Sequence, residues 1–127
     1  MDVKQIIVIR RDLKMRRGKE IAQGAHAAMG VLLRDMRVND DGTVTLGLWP
    51  EAMAWLQGSF TKVTVKVNSE QELLEVKDRA DAAGVPCVLI TDAGRTEFHG
   101  EPTHTALAVG PATSEQLAPI TGALKLY

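Results

Sequence analysis

The stretch QIIVIR, residues Gln5–Arg10, is a continuous run of β-branched side chains that ends in an arginine. A run without polar alternation is typical of a strand that is buried on both faces, as in a parallel sheet covered by helices. The cationic segment Arg10–Glu20 follows this first strand and leads into a helical pattern. Because ligands of α/β sheets gather where strands lead into helices, we expect a functional site at the end of this strand.

The helical pattern runs from Lys19 to about Arg37. Apolar residues recur there at the spacing of a helical stripe: Ile21, Ala25, Met29, Leu32 or Leu33, and Met36. The residues between them are mostly alanine and glycine, which would let the helix approach a sheet closely at some cost in helix propensity. We therefore expect the helix to lie directly on the sheet.

The rest of the chain alternates between strand and helix signals. An Asp-Gly turn predicts a short hairpin, Pro50 predicts a short helix through about Leu56, and alternating valines in TKVTVKV (61–67) predict a strand near an edge. The further predicted elements are a helix capped by Ser69 and Glu72, buried-type strands at CVLIT (87–91) and TALAVG (105–110), a C-terminal helix at TSEQLAPIT (113–121) and a final short strand at LKLY (124–127). This alternation predicts an α/β layered domain with a mostly parallel or mixed sheet.

Length and composition favour one folded domain that spans residues 1–127. Hydrophobic residues make up 45% of the chain and charged residues 24%, as in ordinary globular proteins. The apolar run Ile6–Ile9 is too short for a signal peptide or a membrane span. Cys87, the single cysteine, lies in the apolar stretch VPCVLI, which predicts a buried, inert thiol and fits a reducing cytoplasm.

The basic segment places six cationic side chains between Arg10 and Lys19 in a chain whose formal net charge is -1. A solvated charged loop is one interpretation. The other is an anion site, because cations at a helix N-terminus cost about 0.3 to 1 kcal/mol apiece unless an anion is bound. A nucleotide P-loop is disfavoured, since the first glycine is missing and Glu20 stands where a hydroxyl would hold magnesium.

A second polar cluster follows the strand CVLIT, in the segment DAGRTE that contains Asp92. Asp92 alone could be an ordinary turn residue. If the first strand and CVLIT run parallel, however, the two clusters converge, and a carboxylate beside the ammonium of Lys19 could position water and offset oxyanion charge. The three histidines lack metal-ligand spacing, so no metal site is expected, and His26 is predicted to be a packed structural residue.

Several segments together resemble the archaeal and eukaryotic-type peptidyl-tRNA hydrolases, the second class of that activity: IVIRRDLKMRRGKEIAQGAHAA, KVTVKVNSEQEL, VLITDAGRTE, TALAVGP and ITGALKL. The resemblance spans nearly the whole chain. It implies a three-layer α/β/α fold around a small mixed sheet and usually a homodimer. It also implies hydrolysis of the ester between a peptide and the 3′-terminal ribose of transfer RNA, without a metal or organic cofactor.

The resemblance also implies a set of functional residues. The catalytic side chains carried over from the family are Lys19, Asp92, Thr96 and Thr105. Thr103 competes with Thr105 for its role, because the segment EFHGEPTHT is longer than its family counterpart. The cations expected to hold RNA phosphates, without reading sequence, are Lys14, Arg16, Arg17 and Arg95.

Two alternatives to this enzyme stay open. The first is a catalytically silent module of the same fold that uses the basic segment to bind RNA or an acidic protein. The second is a hydrolase of another small ester or amide. The segment Arg37–Leu48 has no clear counterpart in the family, so its role is also open.

Overall fold

The computed structural model describes residues 1–95 and 97–127 and contains a five-stranded sheet, a separate two-stranded hairpin and four α-helices in that part of the chain. The elements, in chain order, are β1 (Val3–Arg10), a 3-10 turn (Arg11–Leu13), α1 (Arg17–Leu33), β2 (Arg37–Val38), β3 (Val44–Thr45), α2 (Pro50–Gln57), β4 (Lys62–Val67), α3 (Glu70–Ala82), β5 (Cys87–Asp92), β6 (Thr103–Thr113), α4 (Ser114–Thr121) and β7 (Lys125–Leu126). The hairpin, the short helix at Pro50 and the final strand are therefore confirmed.

The sheet is mixed, with the strand order β5-β6-β1-β4-β7. Only β1 and β4 pair in parallel among the described strands, while β6 pairs antiparallel with both β1 and β5, and β7 with β4. The mixed sheet is as predicted, but the prediction of a mostly parallel sheet is wrong. An apolar run that helices cover looks the same in either direction, so the sequence could not distinguish them.

β1 and β5 run in the same direction, because β6 lies between them and is antiparallel to both. The condition for convergence of the two polar clusters is thus met, although the two strands are not neighbours. β5 lies at one edge of the sheet, opposite the edge formed by β7, and is only partly buried along most of its length. Its predicted burial was therefore overestimated.

Helices cover both faces of the sheet, which confirms the three-layer arrangement. Ile6 and Val8 of β1 belong to a core with α3 and α4, whereas Ile7 and Ile9 point to the opposite face, where α1 lies. The buried side chains that α3 and α4 contribute are Leu73, Val76, Ala80, Leu117 and Ile120. Trp49, just before α2, packs with α1 on the other face.

The large apolar residues of α1 are not its buried face, contrary to the expectation from their spacing. Ile21 and Met29 are 67% and 61% exposed. The helix instead buries a row of smaller or polar residues: Gln23, Gly24, Ala27 and Val31. The expected close approach is confirmed, since a Cβ on Gly24 would lie 3.5 Å from Ile7 and one on Gly30 would lie 3.3 Å from Val88. Small residues bring this helix onto the sheet, and the large ones are left outside.

The predicted start of α1 and the predicted cap of α3 can be compared with the structure. α1 begins at Arg17 and ends at Leu33, so it is shorter at its C-terminus than predicted. At α3, the Ser69 hydroxyl accepts from the Glu72 N–H at 3.0 Å, as expected for an N-cap.

Cys87 is buried, and burial raises the pKa of its thiol to about 12, which confirms an inert thiol. No helix in the described part of the chain could cross a membrane.

Candidate active site

The two polar clusters meet at one contact between α1 and β5. Lys19, in the first turn of α1, places its Nζ 3.0 Å from Oδ1 of Asp92, the last residue of β5. The two side chains are 15% and 16% exposed. The convergence predicted from the sequence is therefore confirmed, and it creates an ion pair that is largely withdrawn from solvent but still open to it.

A tight turn after β5 holds the carboxylate in place. The Gly94 N–H donates to Oδ2 of Asp92 at 2.8 Å. Gly94 has a φ of +82°, and a Cβ there would lie 2.1 Å from the carbonyl oxygen of Glu101. Only glycine fits at this position, because both the backbone angle and the close approach exclude a side chain. The DAG sequence is thus a turn, as its composition indicates, and also the anchor of Asp92.

Gln23 joins the ion pair to β6 and is a functional residue that was not predicted from the sequence. Its Nε2 lies 3.4 Å from Oδ1 of Asp92, and its Oε1 accepts from the Thr105 hydroxyl at 2.5 Å. Gln23 lies one helical turn after Lys19, so the i, i+4 spacing was the signal that could have revealed it. The network runs from the fully buried Thr105 through Gln23 to Asp92 and Lys19.

The two threonines of β6 have different surroundings. Thr103 donates to the carbonyl oxygen of Glu101, in its own loop, at 2.8 Å. Thr105, in contrast, belongs to the network around Asp92. The geometry thus separates the two candidates that the sequence left open. Thr96, the other predicted threonine, lies outside the described residues.

The surroundings of Asp92 keep its carboxyl group ionised. Burial by itself raises the pKa, but the hydrogen bond from Lys19, the Gly94 N–H and the charges of Lys19 and His26 outweigh it, so the pKa of Asp92 lies below its ordinary value. His26 is exposed on α1. The prediction that His26 is a packed structural residue is therefore wrong.

Phe98 connects the loop after β5 to the basic segment. Its ring centroid lies 5.4 Å from Nζ of Lys19, within the range of a cation–π contact. The same ring packs against a small apolar cluster under the basic segment, which includes Ile9 and Met15. The loop therefore rests on α1 and on the segment that precedes it.

Arg10 and the four cations predicted to hold RNA differ in their exposure. Arg10 is buried, where it bonds to Asp12 at 2.7 Å and to the carbonyl oxygen of His104 at 3.0 Å, so it serves the fold. The four cations predicted to hold RNA are all exposed: Lys14, Arg16, Arg17 and Arg95. Arg16 is paired with Glu97 at 2.7 Å. Carboxylates of the protein itself, Glu97 and Asp92, thus offset cations at the N-terminus of α1.

A groove runs along the opposite side of α1. It has a volume of about 550 Å³ and lies between the helix and the part of the sheet formed by β1 and β4. Its apolar lining includes Ile7, Ile9, Ile21, Ala25 and Met29. Tyr127 lies at its rim, where its hydroxyl donates to Glu20. Within the described residues, no group of three or more histidine, cysteine or acidic side chains is arranged to hold a metal ion.

The sequence matches one protein family and several named proteins. The family model described as Peptidyl-tRNA hydrolase PTH2 matches residues 3–127. The chain belongs to the PTH2 family. Three archaeal proteins named peptidyl-tRNA hydrolase are similar to this PTH2 family member. The protein of Methanocaldococcus jannaschii is 44% identical over 98% of this chain and 99% of its own length.

The other two relatives show the same extent of similarity. The protein of Thermococcus onnurineus is 42% identical over 97% of this chain and 96% of its own length. For that of Haloquadratum walsbyi, the identity is 39% over 98% and 100%. A solved structure of a protein of unknown function from Agrobacterium matches with a TM-score of 0.63 over 100% of this chain and 98% of its own, at 14% identity. That likeness supports the fold of this PTH2 family member.

Proposed function

We propose that this protein hydrolyses the ester between a peptide and the 3′-terminal ribose of transfer RNA, in the cytoplasm and without a metal or organic cofactor. Its membership of the PTH2 family supports this reaction. The observation that carries the proposal is the Lys19–Asp92 pair, held at 3.0 Å beside a cationic segment. Such a pair offers an anion to a water molecule and a cation to a developing oxyanion.

Asp92 orients the attacking water in this mechanism. A general base works best when its pKa is near the operating pH, whereas the pKa of Asp92 is held below its ordinary value. Its carboxylate is a better hydrogen-bond acceptor than proton acceptor at neutral pH. Asp92 therefore fixes the direction of the water and offsets the charge of Lys19. As the water oxygen bonds to the ester carbon, the proton that the water loses passes to the ribose 3′-oxygen, whose bond to that carbon breaks.

Lys19 stabilises the negative charge that develops on the ester carbonyl oxygen. The Lys19 side chain is only 15% exposed, so its interaction with an oxyanion is less screened than it would be at the open surface. The contact with Asp92 fixes the ammonium before the substrate arrives. That preorganisation lowers the cost of orienting it during the reaction.

Gln23 and Thr105 are positioning residues, and Thr96 remains a proposed contact to water or substrate. Thr105 is fully buried, and its hydroxyl donates to Gln23, so it acts through that amide. Because the Gln23 Oε1 accepts this bond, the Nε2 is directed toward Asp92. Thr96 follows Asp92 by four positions in the sequence.

The exposed cations Lys14, Arg16, Arg17 and Arg95 hold phosphates of the acceptor end. Phosphate contacts of this kind give affinity without sequence information, which suits an enzyme that serves many transfer RNAs. Arg16 and Arg17 lie at the N-terminus of α1, where the dipole of that helix also favours an anion.

A homodimer completes the proposal, with the groove beside α1 as the contact surface. Ile21, Ala25 and Met29 recur at intervals of four residues along that groove, and the first and last are more than half exposed. An apolar row of this kind is costly to leave in water and is typical of a contact between subunits. The second copy would cover the part of the sheet that α1 leaves open.

A direct assay tests the reaction. N-acetyl-aminoacyl-tRNA is incubated with the protein, and release of the blocked amino acid is measured, with Asp92→Asn as the matched variant of nearly the same shape. We expect turnover by the wild type and a loss of about 10²-fold or more in the variant, because the attacking water is no longer held in its reactive position. Tight tRNA binding without turnover would instead support the silent module, and hydrolysis of small esters alone would support the other alternative.

A further inference from the structure

The carboxylate of Glu97 forms an ion pair with Arg16, one of the cations proposed to bind RNA phosphates. Its Oε1 lies 2.7 Å from Nε of Arg16. The two side chains differ in accessibility, because Arg16 is 82% exposed and Glu97 only 16%. The guanidinium of Arg16 is thus accessible to an incoming molecule, whereas the Glu97 side chain is mostly buried.

The position of Glu97 is fixed by its neighbour and by the loop closure. Phe98 is packed on the apolar cluster with Ile9 and Met15, which keeps the backbone of this segment against the basic segment. The loop is closed by the Gly100 N–H, which donates to the Gly94 carbonyl oxygen at 2.9 Å. These contacts keep Glu97 beside Arg16 in the free protein.

We propose that Glu97 occupies, in the free protein, the place of an RNA phosphate on Arg16, and that a phosphate of the acceptor end displaces it. This inference rests on the proposed function, since it takes tRNA as the ligand. A carboxylate and a phosphate present similar oxygens to the planar guanidinium fork, so one can replace the other in the same geometry.

The exchange favours a polyanion over a small anion. An exposed ion pair is weak, so losing it costs RNA binding only about two- to fivefold. A chain of phosphates recovers that loss through its other contacts with the basic segment and through release of counterions. A single small anion has no such compensation and meets a cation that is already paired. Glu97 thus biases Arg16 toward nucleic acid.

A double-mutant cycle tests the exchange. Binding of deacylated tRNA is measured by fluorescence anisotropy, at one ionic strength, for the wild type, Glu97→Gln, Arg16→Ala and the double variant. We expect Glu97→Gln to tighten binding about two- to fivefold when Arg16 is present, and to have only the small effect of removing one negative charge when Arg16 is replaced. The control is Glu101→Gln, an exposed acid of the same loop, whose small effect should be equal in both backgrounds.

Other results would overturn the inference in distinguishable ways. Equal tightening by Glu97→Gln in both backgrounds would mean simple repulsion of RNA, and weaker binding would mean that Glu97 orients Arg16 for the phosphate. Either result leaves the hydrolase intact, since turnover of N-acetyl-aminoacyl-tRNA is measured on the same samples. Absence of both tRNA binding and turnover in the wild type would overturn the proposed function together with this inference. Unfolding transitions of all variants verify that each is folded.

Discussion

The Thr105 hydroxyl donates to the amide oxygen of Gln23 across 2.5 Å, joining residues that are 82 positions apart in the chain. This bond fixes which end of the Gln23 amide faces Asp92. Thr105 is fully buried, so its contribution to the site passes through Gln23. The orientation of one amide thereby links the beginning of β6 to the ion pair.

Thr105→Val is expected to lower both stability and turnover. Valine keeps the shape but removes the donor, which leaves the buried Gln23 oxygen unsatisfied at a cost of about 1 to 3 kcal/mol. Denaturant unfolding and turnover of N-acetyl-aminoacyl-tRNA measure the two effects. Thr103→Val is the control, because that hydroxyl bonds only to the Glu101 carbonyl oxygen among the described residues. Equal effects of the two substitutions would contradict the assignment.

The sequence predicted that the segments carrying Lys19 and Asp92 converge, but not that the two side chains pair, nor that the Gln23 amide joins Asp92 to Thr105. Lys19 and Asp92 lie at a helix start and a strand end, where topology brings polar groups together. Gln23 is a neutral residue within a helix, and its burial depends on Gly24 and Ala27 bringing α1 onto the sheet. Thr103 and Thr105 have the same parity in the sequence, but the pairing of β6 with β5 shifts register at Thr105, and the sequence alone does not reveal such an irregularity.

Lys19→Ala is expected to reduce turnover more than substrate binding. An ammonium that interacts with an oxyanion stabilises the transition state more than the ground state. The activation free energy should therefore rise by about 2.7 kcal/mol or more, which lowers kcat, with a smaller change in KM. Steady-state kinetics on a defined peptidyl-tRNA measures both constants. A rise in KM at unchanged kcat would show that Lys19 anchors a phosphate instead.

The pKa of Asp92 gives a prediction on pH. Because that pKa lies below the ordinary value of 3.8, the ion pair contributes stability that is fully present above the ordinary value and is lost as the pH falls through the folded pKa. In Lys19→Ala the pKa should rise, since burial then acts with less opposition. Carbon-13 NMR titration of the carboxyl group measures it, with Asp92→Asn to assign the signal. A wild-type midpoint above 3.8 would contradict the described contacts.

A charge placed in the groove beside α1 tests the homodimer. Ile21→Glu combined with Met29→Glu puts two carboxylates on the proposed contact surface, where burial without partners is costly. We expect a shift from dimer to monomer in sedimentation velocity experiments. Val38→Glu, on the exposed hairpin, is the control and should leave the mass unchanged. A wild-type protein that is monomeric at all concentrations would refute the proposal.

The groove also shows where helical periodicity misleads. Ile21, Ala25 and Met29 have the spacing of a buried face, yet the sheet packs against the row that contains Gly24 and Ala27. Hydrophobic spacing identifies a helix and an apolar face, but here small size determines which face can reach the strands. The apolar row is then available for a partner.

Arg16→Ala combined with Arg17→Ala is expected to weaken tRNA binding and to flatten its dependence on salt. Each phosphate contact that is lost removes about 0.7 to 0.9 from the slope of log affinity against log salt concentration, so two lost contacts should reduce the slope by about 1.4 to 1.8. Arg34→Ala combined with Arg37→Ala is the matched control, because it removes the same charge at the other end of α1. Binding of deacylated tRNA is measured over a range of salt concentrations for the three proteins. If the two double variants give the same slope as the wild type, Arg16 and Arg17 do not contact phosphate. If both lower it equally, the RNA responds to net charge, and the basic segment is not its binding site.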